Sequence, residues 1–261
     1  MDDNPFAPPK ATLVGPESDE GELILEGRKL PPRRGSAWMP ESWRIFRLAP
    51  GSWILVFVVY MFGLIVLAII PGASLLASML MPAITAGVML GIRGLEEGQP
   101  LRVGTLFAAF KLNIGNLIIA GLLEMAMSIG ISIIAMIPMF ALMAMLGPGM
   151  MQGVDPNDVS TVLLAMLPLL IISVGVAVIL TLPLLMAIWL TPALIVFHDL
   201  GPWIAIKASF RGCLRNMWPL TLFSLVALFW ILVALIPLGL GLLVIGPMVW
   251  ISMYALSLIH I

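Results

Sequence analysis

Apolar runs of membrane-spanning length, separated by connections of very unequal charge, constrain this chain more than any other feature. The runs extend over Trp53–Ile70, Leu75–Ile92, Ile114–Met145, Val159–Phe197, Met217–Ile236 and from Leu238 onward. A bilayer core takes about 20 helical residues, so five of the runs read as single spans. The fourth is longer and holds Pro168, Pro183 and Pro192, which leaves two spans split at Pro183 or one long kinked helix. The 13 basic residues decide between these readings, because Lys and Arg near span ends favour the cytoplasmic side. They fall between Lys10 and Arg47, then at Arg93, Arg102 and Lys111, then at Lys207, Arg211 and Arg215. The connections at Pro71–Ser74, Leu146–Asp158 and around Pro237 hold none. Six spans with both termini in the cytoplasm account for this partition, and seven do not.

The expected fold is therefore all-α: a polytopic membrane helical bundle over residues 37–261, preceded by a disordered cytoplasmic tail over residues 1–36. Composition agrees, since 61% hydrophobic and 10% charged residues lie far outside the soluble range. The tail is polar and rich in Pro, the composition of a segment that cannot bury a core. It lacks the pattern of a cleaved signal, so the first span is expected to serve as the insertion signal. The last six residues, "LSLIHI" at Leu256–Ile261, match the translation of a common transposon sequencing adaptor. The natural chain is accordingly expected to differ beyond Ala255.

Each outward and returning pair of spans follows a short basic, amphipathic stretch: "ESWRIFRLAPGSW", "LRVGTLFAAFKLN" and "PWIAIKASFRGCLRNMW". Phe46-Arg47, Phe110-Lys111 and Phe210-Arg211 occupy equivalent places, and the returning spans carry Pro82, Pro192 and Pro247. Three hairpins with interfacial helices are expected from this internal repeat, and parallel repeats imply a pseudo-symmetry axis along the membrane normal. Arg44, Arg47, Lys111, Lys207, Arg211 and Arg215 then become candidate lipid-headgroup anchors. Lys207, Arg211 and Arg215 fall on one helical stripe, and Phe210 and Trp218 suit the aromatic belt.

Few residues carry other chemistry. Glu124 is the only acidic residue well inside an expected span, and a carboxylate in hydrocarbon must be protonated, paired or wetted. With Gly121, Ser128 and Ser132 it forms a polar, small-residue stripe at helical spacing. That stripe is read either as a packing face or as part of a proton or solute pathway. Met136, Met139 and Met143 share a face, followed by Met145, Met150 and Met151. Thioethers suit Cu(I), but no Cys or His accompanies them, and filling of apolar gaps is the stronger reading. Asp199 is expected to cap the helix that follows it, with His198 at the interface, and Asp158 or Ser160 to cap the fourth span. Asp155 and Asp158 lack the spacing of a calcium loop. The lone Cys213 offers no disulfide, and no phosphate loop, serine elbow or zinc motif is present. No cofactor and no enzymatic activity are expected, and a net charge of −1 offers nothing to nucleic acid.

At "SAWMPESWRIFRLAPGSWI", "LMPAITAGVMLGIRGLEEGQPLRVGTLFAAFK" and "WLTPALIVFHDLGPWIAIKASFRGCLRNMWPL" the chain resembles a family of uncharacterised bacterial multi-pass inner-membrane proteins. The resemblance covers about Trp38 to Tyr254. The "NPFAPP" opening is similar to tails on other bacterial membrane proteins. More loosely, the hairpin pattern is similar to membrane domains attached to some glycerophosphodiester phosphodiesterases. The resemblance implies bacterial inner-membrane location and topology and assigns no catalytic residue. The leading expectation is a non-enzymatic protein that organises anionic lipid, partner proteins or copies of itself. A small-solute or proton-coupled transporter using Glu124 is the alternative, and Cu(I) handling by the methionines a lesser one.

Overall fold

A computed structural model describes residues 24–70, 72–150 and 158–257, and these are helical, with no strand among them. Helix α1 (Arg34–Phe46) is amphipathic and begins inside the segment assigned to the tail. It leads into a first hairpin of α2 (Pro50–Ile69) and α3 (Ala73–Glu96). A 3-10 segment (Val103–Lys111) precedes the second hairpin, made of α4 (Ile114–Met150), α5 (Val159–Ile188) and the short α6 (Thr191–His198). Amphipathic α7 (Pro202–Arg215) precedes the third, α8 (Met217–Leu235) and α9 (Leu242–Ser257). Among the described residues, five stretches are long and apolar enough to cross a membrane: Pro50–Ile69, Leu75–Glu96, Ile114–Ile137, Leu170–His198 and Met217–Leu235. The chain is thus a multi-pass membrane protein. The sixth apolar helix, α9, is shorter at 16 residues.

Local chemistry sets the helix ends. Pro50 and Pro202 stand in first turns, where a missing N–H costs nothing. Asp158 is the N-cap of α5, as expected, and its carboxylate accepts from the Ser160 N–H at 3.0 Å and the Ser160 hydroxyl at 2.7 Å. Those bonds, the hydroxyl one foremost, hold its carboxyl below the usual aspartate range. Gly72, at φ +79°, turns the chain into α3.

The long fourth run is one broken stretch, and the break lies before Pro192 rather than at Pro183. Pro168 and Pro183 both sit inside α5. At the break the Ser209 hydroxyl of α7 is inserted into the helical ladder, donating to the Met186 carbonyl (2.8 Å) and accepting from the Leu190 N–H (3.0 Å). Side-chain insertion of this kind is a recognised cause of a kink. Pro192 adds to it by offering no N–H to the preceding turn.

The core sits at the end where the three amphipathic segments lie. Trp38, Trp53, Ile92, Leu190, Ile195 and Ile251 are almost wholly buried there, and Pro82, Pro192 and Pro247 are buried in the three returning helices. Phe197 of α6 ties these helices together, with the Arg93 guanidinium of α3 over its ring at 5.7 Å and the Tyr254 ring of α9 at 5.9 Å. Toward the opposite end apolar side chains face outward, among them Phe62 (66% exposed), Ile69 (76%) and Leu164 (69%). That surface suits hydrocarbon and not water.

Each amphipathic segment docks on the hairpin before its own. The 3-10 segment lies on α3, where Gly87 and Gly91 leave room for Thr105 and Leu106. Helix α7 packs on α5, α6 and α4. Helix α1 closes the ring by packing on the last hairpin, with Gly35 against the Pro219 carbonyl of α8, Trp38 edge-on to Phe223 at 5.8 Å, and the Ser42 and Ser252 hydroxyls 2.6 Å apart. Neighbouring hairpins meet along α3–α4 and α2–α9, whereas α5 and α8 make no comparable contact among the described residues.

Candidate functional site

Amphipathic periodicity explains why the candidate anchors share one surface. In α1 the buried face carries Trp38, Met39, Ser42, Ile45 and Phe46, so Arg44 and Arg47 point away from the bundle, and Trp43 stands part-exposed at the edge of that face. In α7 Ala205, Ile206, Ala208 and Ser209 face inward, which leaves Trp203, Lys207, Arg211 and Arg215 outside. The 3-10 segment buries Leu106 and Ala109 and exposes Phe107 and Lys111. All six basic residues singled out from the sequence are exposed, at the end of the bundle where the three segments lie. Exposed rings accompany them: Trp43 (42%), Phe107 (54%), Trp203 (55%) and Trp218 (76%). Phe210, placed with Trp218 in the aromatic belt from the sequence, is half-buried instead.

These charges are only partly neutralised among the described residues. Arg44 pairs with Glu96 of α3 at 3.0 Å, and Arg215 lies 3.5 Å from Glu26. Arg47 sits over the Trp43 ring at 5.8 Å, and the Lys207 ammonium lies 4.9 Å from the Trp203 ring centre. Such contacts hold a cation beside an aromatic without cancelling its charge. Lys111, Lys207, Arg211 and Arg47 form no ion pair among the described residues. Lys111 also borders an open cleft of about 900 Å³ between α3 and the 3-10 segment, together with Arg93, Glu97, Gln99 and Thr105.

Asn216 supplies a feature that basic-residue spacing does not reveal. Its side chain is buried at the α7–α8 junction, accepts from the Leu30 N–H (2.8 Å) and donates to the Arg28 carbonyl (2.8 Å) and the Gly212 carbonyl (2.9 Å). Residues 26–30, read from composition as part of the tail, are thereby strapped along α7, with Arg215 donating to the Gly27 carbonyl at 3.3 Å. One amide reading two backbone groups can hold an extended segment that has no apolar pattern. The rest of the tail, residues 1–23, lies outside the described residues. Asn116, at the matching place in the second unit, donates instead to Asn113 at 2.9 Å.

Asn113 corrects another expectation. It donates to the Asp199 carboxylate, and Asp199 ends α6 in a left-handed turn (φ 52°) instead of capping α7. Gly201 is the N-cap of α7 and offers no side chain. A proline in the first turn leaves one fewer N–H to satisfy, so Asp199 is free to bind α4. His198 lies half-buried in the last turn of α6.

The intramembrane stripe divides. Gly121 packs against the Met79 backbone of α3, while Ser132 is exposed and donates to the Ser128 carbonyl of its own helix at 2.8 Å. Glu124 is half-buried and makes no hydrogen bond or ion pair among the described residues. The stripe therefore brings α4 close to α3 at Gly121 and assembles no polar cluster around Glu124. Met136 is exposed; the side chains of Met139, Met143, Met145 and Met150, and Met151 and Asp155 entirely, lie outside the described residues. Leu256 and Ser257 continue α9, and residues 258–261 of the "LSLIHI" ending lie outside the described residues. Comparison of the chain with protein-family models, curated proteins and solved structures finds no match.

Proposed function

We propose that the chain is a six-span protein of the bacterial cytoplasmic membrane, with both termini inside, that organises anionic lipid through three basic, aromatic-flanked segments on its cytoplasmic rim. It works without catalysis, and its further partners are other proteins or copies of itself. The observation that carries this reading is the outward display of Arg47, Lys111, Lys207 and Arg211 beside exposed rings at one end of the bundle. Each such cation is worth about 1 kcal/mol near anionic headgroups. The offset docking of the segments supports a diverged triplication, since each segment meets the same kind of partner, the preceding hairpin.

The test is reconstitution in bilayers of matched acyl chains, reading enrichment of phosphatidylglycerol over phosphatidylcholine around the protein. Enrichment is expected, and Lys207→Gln with Arg211→Gln should lower it by about fivefold per charge. Equal association with both lipids sinks the proposal.

Transport through Glu124 is the second reading, supported by a carboxyl at membrane depth that has no hydrogen-bond or ion-pair partner among the described residues. None of the clefts described here is lined by Glu124. In proteoliposomes this reading requires saturable solute uptake that Glu124→Gln abolishes.

A further inference from the structure

The third hairpin is a V. At its outer turn the two helices touch, with Gly241 against Ala234, and at the basic end α1 is wedged between them through Gly35, Trp38 and Ser42. Above the wedge an open groove of about 520 Å³ runs between the arms, walled by Met39, Pro40, Val226, Trp230, Ile245 and Met248. It is overwhelmingly apolar. A further opening of about 380 Å³ continues it toward the outer turn and shares Trp230, Val244 and Ile245.

The floor of the groove identifies its occupant. Ser36, Met39, Pro40 and Trp43 of α1 line it, and their i, i+3, i+4, i+7 spacing makes them one helical face. The same face runs on to Arg33 at one end and Arg47 at the other, both exposed. Neither pairs with a carboxylate among the described residues, and Arg47 rests on Trp43 at the groove wall. A slot lined by hydrocarbon, with the Arg47 guanidinium at its wall and no carboxylate paired to it among the described residues, matches a molecule with an apolar tail and an anionic head. Trp230 lies 13 residues along α8 from Met217, about 20 Å at 1.5 Å per residue, which exceeds half of the roughly 30 Å hydrocarbon core. One leaflet's acyl chain fits that depth.

We propose that this groove is a lipid-binding site that holds one acyl chain of an anionic phospholipid between α8 and α9, with its phosphate against Arg47. The site rests on the headgroup reading of the rim and adds a specific, retained lipid to it. The α1 helix is then both a wedge that opens the V and the headgroup end of the site.

The test uses the full chain in detergent, offered phosphatidylglycerol or phosphatidylcholine of identical acyl chains and followed by native mass spectrometry. One phosphatidylglycerol should survive detergent exchange, and Val226→Phe or Val244→Phe, which fill the groove and keep every charge, should each lower its retention about tenfold, or 1.4 kcal/mol. Arg47→Gln should cut the preference over phosphatidylcholine about fivefold. Retention unchanged in both Phe variants overturns the groove. If the phosphatidylglycerol preference then persists and is lost only with Lys207→Gln and Arg211→Gln, the rim reading stands without it. Equal retention of phosphatidylcholine by the unmutated chain overturns both. Should the Phe variants fail to fold, a diazirine-acyl phosphatidylglycerol photolysed on the unmutated chain decides. Adducts concentrated at Val226, Trp230, Ile245 and Met248 are expected, and adducts spread over α2 and α5 overturn the site.

Discussion

Ser209 shows how much one hydroxyl can fix. It accepts from one buried backbone N–H and donates to one buried carbonyl at the break in another helix, so Ser209→Ala leaves both groups without that partner. The loss should be about 1–3 kcal/mol, read as a lower unfolding temperature in detergent. Leu238 offers the opposite case. It is 97% exposed and left-handed at φ 54° in the turn between α8 and α9, a conformation that costs a non-glycine residue about 1–2 kcal/mol. Leu238→Gly should raise the unfolding temperature, because that strain exceeds the about 0.4–1 kcal/mol that the added freedom of the unfolded chain takes back. Cys213 is buried, and burial pushes its thiol up to about 12, against a small lowering by Ser209. The unfolded thiol titrates near 8.5. Below that pH both states hold the proton and stability is unaffected; between about 9 and 12 the unfolded state loses it first and stability falls. Alkylation by a maleimide at pH 8.5 should accordingly be far slower in the folded chain than in denaturant. The exposure of the basic anchors was legible from helical periodicity, because outward faces follow from inward ones. The role of Asn216 was not, since its partners are backbone groups about 188 residues away.

At the scale of elements, the strap over residues 26–30 depends chiefly on the buried Asn216 amide, with Arg215 as a second, more exposed contact. Asn216→Ala should release it, and trypsin should then cut at Arg28 and Lys29 several-fold faster while the helices stay intact by circular dichroism. The 3-10 segment depends on close approach, since a side chain at Gly87 would meet the backbone of Thr105 and Leu106. Gly87→Leu should therefore lift the segment off α3 at a cost of about 1–3 kcal/mol, visible as a lowered unfolding temperature and faster exchange of the 103–111 amides. Helix existence and the pairing of spans were readable from apolar runs and charge. The break before Pro192 was not, because Pro168, Pro183 and Pro192 look alike in the chain. Only at the break before Pro192, among the described residues, does another helix insert a hydroxyl into the backbone ladder, that of Ser209. Asp199 was misplaced for a similar reason: its acceptor role was readable, but Asn113 reaches it from a different helix.

For the molecule as a whole, the three hairpins are joined by segments that each reach backward, and α1 reaches all the way to the last hairpin. Nothing in the repeat pattern predicts that offset, because periodicity says which face of a segment is apolar and not whose face will cover it. The offset has a consequence for biogenesis. Helix α1 leaves the ribosome ahead of α2 to α9, yet its seat on α8 and α9 is made only after both have emerged, so the apolar face that holds Trp38 and Phe46 must wait uncovered while the three hairpins are made. Closing so long a loop costs little more entropy than a shorter one, but it cannot happen early. A chain arrested before Met217 would keep that apolar face bare, which gives membrane quality control a signal that the molecule is unfinished.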